Sequence, residues 1–124
     1  MGLIERIIEK TPLGTVIPKP KTDRQKVIGW ERSRGEKALV YSIPNKNDEA
    51  RPSKKRIKAS DFQAAYNVLI KTGEFTRIWF EQNLQDCDKD GDCNFTTIGG
   101  IFCLLGDAWY CRRGVYCKKS NTTV

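Results

Sequence analysis

Apolar residues at helical spacing open the chain. Leu3, Ile4, Ile7 and Ile8 recur every three or four positions, with charged residues between them, so residues 2–10 are predicted to form a short amphipathic helix. Because so short a helix is only marginally stable alone, it is expected to pack either on the core of its own chain or on a second copy. The second possibility leaves a homodimer open.

The stretch from residue 60 to residue 105 predicts three further helices and holds most of the large apolar residues. The first begins at Ser60 in a capping box with Gln63, in which each side chain bonds the other residue's backbone amide. It ends at Gly73, a residue type common just after a helix. The second helix covers residues 75–84, where Arg77 and Glu81 have the spacing of an ion pair on one helix face.

The third helix of this stretch, residues 95–105, is apolar on almost every side. It offers only Thr96 and Thr97 to base edges, so we expect a core helix rather than a DNA-recognition helix. The Gly99-Gly100 pair lowers helix propensity by up to about 1 kcal/mol per glycine. A pair of this kind is tolerated where another backbone packs closely, and we predict such a contact here.

Branched and aromatic residues predict two β-hairpins. Residues 27–30 and 38–43 read as strands joined by the turn-forming residues 33–36, and residues 109–117 as a second hairpin. The predicted fold class is α+β, with a helical core of three helices, one or two β-hairpins and a short N-terminal amphipathic helix. We expect one domain over residues 1–124. Within it, residues 1–26 form the N-terminal helix and an extended basic segment, and residues 120–124 a frayed tail.

An acidic stretch precedes the third helix. Asp86, Asp88 and Asp90 alternate and Gly91 follows, a pattern that resembles the EF-hand calcium loop. The resemblance implies weak divalent-cation binding by the three aspartates, with an affinity no better than roughly millimolar. Thr97 stands where the EF-hand family has its bidentate glutamate. The alternative, which we favour, is a solvated turn between two helices.

The net charge of +7 is unevenly distributed. Residues 1–60 carry a net +8, residues 61–94 a net −4 and residues 95–124 a net +3. Basic ends favour contact with polyanions, and the dense basic run at 53–58 is typical of nucleic-acid patches. The alternative is that these charges only solvate the surface and protect a sheet edge. The predicted nucleic-acid-binding residues are Arg32, Arg34, Lys54, Lys55, Arg56, Lys58, Arg112 and Arg113.

The chain contains no histidine and five cysteines. Without histidine it lacks the commonest general base, and it has no Walker loop, dinucleotide fingerprint or GxSxG motif. We therefore predict no cofactor, no catalytic residue and no enzymatic activity. An odd number of cysteines cannot all pair within one chain. Since neither a secretory signal nor a membrane span is recognisable, we expect a cytoplasmic protein with free thiols.

These observations favour a non-catalytic, basic accessory or regulatory protein that contacts the nucleic-acid backbone with low sequence specificity. One alternative is a protein-interaction module, dimeric through the N-terminal helix. The other is cation binding by the acidic stretch. As a whole chain, the sequence resembles the small orphan proteins carried on integron gene cassettes, a type of mobile element. That resemblance rests on no motif and implies no activity.

Overall fold

Two small antiparallel sheets and five helices make up the part of the chain that the structure describes. The structure is a computed structural model that describes residues 2–44 and 50–120. The predicted α+β class is confirmed. Residues 45–49 and most of the predicted tail, residues 121–124, lie outside the described residues. The elements in chain order are α1 (Leu3–Lys10), β1 (Lys26–Ser33), β2 (Glu36–Ile43), β3 (Ser53–Lys58), α2 (Ala59–Thr72), β4 (Glu74–Thr76), α3 (Arg77–Asn83), α4 (Gln85–Asp90), α5 (Asn94–Leu104), β5 (Ala108–Arg112) and β6 (Val115–Lys118).

The first sheet has the strand order β1-β2-β3. The predicted hairpin between β1 and β2 is confirmed, and its turn places Arg34 and Gly35 at φ values of 53° and 83°, as tight hairpin turns require. The third strand was not predicted, because its basic run was interpreted as a surface patch. Its Ile57 lies opposite Leu39 of β2, and both side chains are fully buried. Alternation then directs the basic side chains at positions 54 and 56 to the outer face of the sheet.

The second sheet has the order β4-β6-β5. The predicted second hairpin, β5–β6, is confirmed, whereas the short β4 was missed. The register shifts between Tyr110 and Arg112, so Cys111 is the extra residue of a β-bulge. Cys111 forms a disulfide with Cys117, which corrects the expectation of free thiols for this pair. The described chain keeps three free cysteines, at positions 87, 93 and 103.

Helix α2 is confirmed but starts differently from the prediction. Ser60 is the second residue of the helix rather than its cap, and the residue in the N-cap position, Lys58, makes no side-chain capping bond. The carboxylate of Glu36, on β2, takes over this role. It accepts hydrogen bonds from the Ser60 amide at 2.7 Å and the Ser60 hydroxyl at 3.0 Å. A strand therefore caps the helix, with an anion at the favourable end of the helix dipole.

Helix α5 is the predicted core helix. Eight of the nine residues from Asn94 to Phe102 are buried, and Thr96 is the exception. Phe95 contacts Phe75 with ring centroids 4.9 Å apart. The predicted close backbone contact is present. A Cβ built on Gly100 would lie 2.2 Å from the carbonyl oxygen of Pro18, and one on Gly99 would lie 2.2 Å from the Tyr116 ring. Only glycine lets the chain near residue 18 lie directly on this helix.

Helix α1 packs on its own chain. Ile7 is fully buried, and Arg6 forms an ion pair with Asp107 at 2.9 Å. Asp107 also accepts a hydrogen bond from Tyr66 of α2 at 2.7 Å. One apolar cluster joins side chains from α1, α2, α5 and both sheets. Within the described ranges, none of the helices is long and apolar enough to cross a membrane.

Candidate anion-binding cleft

The segment before β1, which was predicted to be extended, instead forms a closed loop that carries Lys19 and Lys21. The Ile17 amide donates to the Gln25 carbonyl at 2.9 Å and the Val27 amide to the Thr15 carbonyl at 2.9 Å. These bonds close the base of a loop that we call the basic loop (residues 18–24). Ile17 is fully buried and Pro18 rests on Gly100. The contact with α5 thus fixes the side of the loop that carries Lys19 and Lys21.

The basic loop forms one wall of a cleft of about 790 Å³. The other walls come from α3, from the connection between α4 and α5, and from the β5–β6 hairpin. Cationic residues from three distant parts of the sequence therefore meet here, as do two acidic residues. The charged residues that line the cleft are Lys19, Lys21, Arg77, Arg113, Glu81 and Asp92. Their formal sum is positive, which suits a small anionic group.

Lys19 anchors the basic loop to the start of α5. Its ammonium donates to the Cys93 carbonyl and to the Thr96 hydroxyl, both at 2.9 Å, and lies 5.5 Å from the centre of the Tyr41 ring. Burial lowers the pKa of Lys19 from 10.5 to about 8, and the positive charge of Arg77 adds to that shift. Most of the hydrogen-bonding capacity of Lys19 is used within the protein, so its main role in the cleft is to position the loop.

Arg77 is also committed to the protein. Its guanidinium donates to the Asp92 carbonyl at 3.2 Å and lies 4.7 Å from the centre of the Phe95 ring, so the predicted ion pair with Glu81 does not form. Lys21 and Arg113 are different. Both are exposed, and neither has a hydrogen bond or ion pair to any described residue. They are the cations of the cleft that are available to a ligand.

Gln25 places an unused amide at the cleft. The residue is 9% exposed and lines the cleft. Its side-chain oxygen is buried without a hydrogen-bond partner, and within the described chain the amide nitrogen has none either. An unpaired buried amide costs free energy.

An aromatic residue completes the wall formed by the hairpin. The Tyr110 ring is 37% exposed and packs on the buried Tyr116 ring with centroids 5.1 Å apart. Its hydroxyl accepts a hydrogen bond from the Gly114 amide at 3.3 Å. The Arg77 amide donates to the Gly114 carbonyl at 2.9 Å, which ties the hairpin turn to α3. Tyr116 and Gly114 thus hold the ring in place, and Tyr110 lines the cleft.

The structure brings one of the eight predicted nucleic-acid-binding residues, Arg113, into this cleft. Its neighbour Arg112 forms an ion pair with Glu74 at 3.1 Å. At the β1–β2 turn, Arg32 donates to the Gly35 carbonyl at 2.9 Å. Arg34 is exposed at the same turn.

The four predicted residues of β3 do not share one environment. Lys54 is exposed, and Arg56 is ion-paired with Glu31 of β1. Lys55 points to the other side of the sheet and donates to the Asp90 carbonyl at 2.7 Å. Lys58 lies close enough to Asp61 to lower the pKa of that carboxyl, although burial raises it overall. The predicted residues therefore belong to two sheets and several separate surfaces.

The acidic stretch is a helix rather than the predicted loop. Residues Gln85–Asp90 form α4, and only Gly91 and its neighbours connect α4 to α5. On a helix, Asp86 and Asp90 project from one side and Asp88 from nearly the opposite side. Within residues 2–44 and 50–120, no three acidic, thiol or imidazole groups are placed to hold a metal ion. The structure does not bring the three aspartates together.

Sequence reasoning missed Lys19, Lys21, Gln25 and Tyr110 as cleft residues. Three of them lie in or beside a segment that was predicted to be extended and basic, and the fourth was assigned only to a hairpin. For the residues of the basic loop, the only signal in the sequence was the glycine pair in α5, which indicated that another backbone packs there. The sequence does not show which segment supplies that backbone.

Fold and cleft together define a small α+β protein with a cationic, partly aromatic cleft. No protein-family model, no curated protein and no solved structure matches the chain. The function must therefore be argued from the cleft itself.

Proposed function

We propose that this protein is a non-catalytic accessory or regulatory protein that contacts the nucleic-acid backbone with low sequence specificity, and that the cleft is its phosphate-binding site. The observation that supports this proposal is the meeting at one cleft of Lys21 and Arg113, two exposed cations whose side chains have no partner among the described residues. They come from opposite ends of the sequence, and the fold fixes their relative position.

Low specificity follows from the kinds of groups that are available. Lysine and arginine that bind phosphate oxygens carry no sequence information. The number of phosphates is small, because Glu81 and Asp92 also line the cleft and repel further anionic groups. For two neutralised phosphates, the logarithm of the binding constant should fall against the logarithm of the salt concentration with a slope of about −1.4 on a single strand. A slope this shallow would distinguish the cleft from an extended basic surface.

Fluorescence anisotropy with labelled oligonucleotides tests the proposal. The wild-type chain should bind at about 50 mM salt and weaken at about 200 mM. Lys21→Gln combined with Arg113→Gln should reduce the affinity roughly tenfold or more, because both charge-assisted phosphate contacts are lost.

Arg34→Gln combined with Lys54→Gln is the matched control. It removes the same charge from two exposed residues that the sequence predicted but that lie outside the cleft. It should weaken binding much less than the cleft variant. If the wild type does not bind at low salt, or if both double variants lose affinity equally, the cleft is not the phosphate-binding site.

A further inference from the structure

The shape of the cleft restricts which form of nucleic acid can use it. A volume of about 790 Å³ is that of a small-molecule pocket, for which roughly 300–1,000 Å³ is typical. Such a pocket accommodates individual nucleotides but is too small to enclose a base-paired helix. A duplex could present phosphates at the mouth, but its bases would remain stacked inside the helix.

The Tyr110 ring has the properties of a stacking platform. Tyr116 supports it on one side, and the bond from Gly114 holds its hydroxyl. Because the ring is already fixed, stacking a base on its open part would cost little side-chain entropy. Stacking of a base on an aromatic side chain is the recurrent means by which proteins hold single strands without reading their sequence.

The hairpin also couples the ring to a phosphate-binding cation. Arg113 lies three residues after Tyr110, in the turn of the same hairpin, and the Cys111–Cys117 disulfide spans that turn. A base on the ring and its neighbouring phosphate on Arg113 would thus bind to one rigid unit. Lys21 lines the same cleft and can pair with the next phosphate.

We infer that the cleft takes an unpaired nucleic-acid strand, with one base stacked on Tyr110 and the adjoining phosphates on Arg113 and Lys21. This inference rests on the proposed function and narrows it from nucleic acid in general to single strands. A free nucleotide shares this chemistry, and the experiment below separates the two sources.

The test compares ligands on the wild-type chain by anisotropy at low salt. The probe is a labelled oligothymidylate of about 12 nucleotides, a length within the range that single-strand-binding sites occupy. Its competitors are an abasic strand of the same length and charge, a duplex of the same length, and thymidine monophosphate. The abasic strand should bind roughly 5- to 100-fold more weakly, the factor expected for losing one stacked base. The duplex and the mononucleotide should also compete more weakly than the intact strand.

Variants of the hairpin identify the stacking residue. Tyr110→Leu should weaken binding of the oligothymidylate by the same factor as removal of the bases does. It should leave the affinity for the abasic strand unchanged. Tyr110→Phe keeps the ring but loses the bond from the Gly114 amide, so it should bind the oligothymidylate more tightly than Tyr110→Leu does. Trp109→Ala is the matched control, because Trp109 is the adjacent aromatic residue and is 50% exposed but does not line the cleft. It should also bind like the wild type.

The outcomes separate the two proposals. If no strand binds at low salt, the proposed function itself fails. If abasic, intact and duplex ligands bind equally, backbone contact stands and the single-strand inference is overturned. It is also overturned if the mononucleotide competes as well as the intact strand, or if Trp109→Ala has the effect expected for Tyr110→Leu. The ligand series on the wild type decides the question even if Tyr110→Leu fails to fold.

Discussion

Replacing Gly100 by alanine is expected to force the basic loop away from α5. The added Cβ would lie 2.2 Å from the Pro18 carbonyl oxygen and 3.2 Å from the Ile17 side chain. Carbon and oxygen atoms that are not bonded rarely approach closer than about 3.3 Å. The backbone at Pro18 or the helix must therefore shift by about an ångström, and a shift of the loop would move Lys19 and Lys21.

The size of the effect follows from two opposing contributions. Inserting an extra methyl group into a packed core costs roughly 1–3 kcal/mol. The Pro18 contact belongs at the upper end of that range because a backbone atom, and not the end of a flexible side chain, must move. Alanine is favoured over glycine in a helix interior by about 1 kcal/mol. We therefore expect Gly100→Ala to lower the free energy of unfolding by about 2 kcal/mol.

Urea denaturation followed by tryptophan fluorescence measures this difference. Gly91→Ala is the control, because its Cβ would meet only side-chain atoms, those of Lys55 at 3.3 Å and the Cys93 sulfur at 3.4 Å, and its φ of 176° is open to any residue. That variant should stay within about 0.5 kcal/mol of the wild type. If Gly100→Ala proves as stable as the wild type, or more stable as helix propensity alone predicts, the basic loop does not lie against α5 as described.

Three further predictions concern the supports of the cleft. Glu36→Ala should lower the free energy of unfolding by about 1 kcal/mol, because α2 loses the carboxylate that caps it at Ser60. Urea denaturation measures this change, and an unchanged midpoint would argue against a cap supplied by β2. Since the pKa of Lys19 is about 8, the ammonium is charged below that pH and loses its charge above it. Oligonucleotide affinity should therefore fall between about pH 7 and pH 9. The fall should be absent in Lys19→Met; an equal fall in that variant would assign the titration to another group. Reduction of Cys111–Cys117 by a dithiol should lower the free energy of unfolding by about 2 kcal/mol, and Cys111→Ser with Cys117→Ser should reproduce this in the absence of reductant; identical curves with and without reductant would contradict it.

The elements with a clear hydrophobic period were predictable from the sequence, and the short or charged ones were not. Helices α1 and α2 follow their apolar stripes, α5 follows from a run that is apolar on almost every side, and the β1–β2 hairpin follows its branched residues. Strand β3 was missed because Ile57 is its one apolar residue and follows the run Lys54, Lys55 and Arg56, so no alternation of apolar and polar residues is visible. Its place is set by pairing with β2, a tertiary effect that a local pattern does not contain.

Helix ends and charged partners depended on contacts distant in sequence. Ser60 and Gln63 match a capping box, but Glu36 from another strand supplies the cap and shifts the helix start. Asp88 belongs to a residue pattern with turn chemistry, yet the chain there forms α4. Arg77 has the spacing to pair with Glu81, but a carbonyl and an aromatic ring on neighbouring elements compete successfully for its guanidinium.

The cleft was the least predictable feature. The sequence indicated that basic side chains meet polyanions, but it favoured the dense run of β3 over the sparse charges of the basic loop. What selects the loop is the contact of Pro18 with Gly100, which joins two segments about 80 residues apart. Charge density along a sequence does not indicate which cations the fold leaves without partners. Lys21 and Arg113 are identified only by their surroundings.

Amide chemical shifts measured by NMR during titration with oligothymidylate at low salt test the central claim most directly. The account predicts that the largest shifts fall on residues 19–25 and 110–114, which lie on facing segments of the cleft, and that strand β3 is little affected. Shifts concentrated on residues 53–58, or no shifts at ligand concentrations up to about a millimolar, would contradict it.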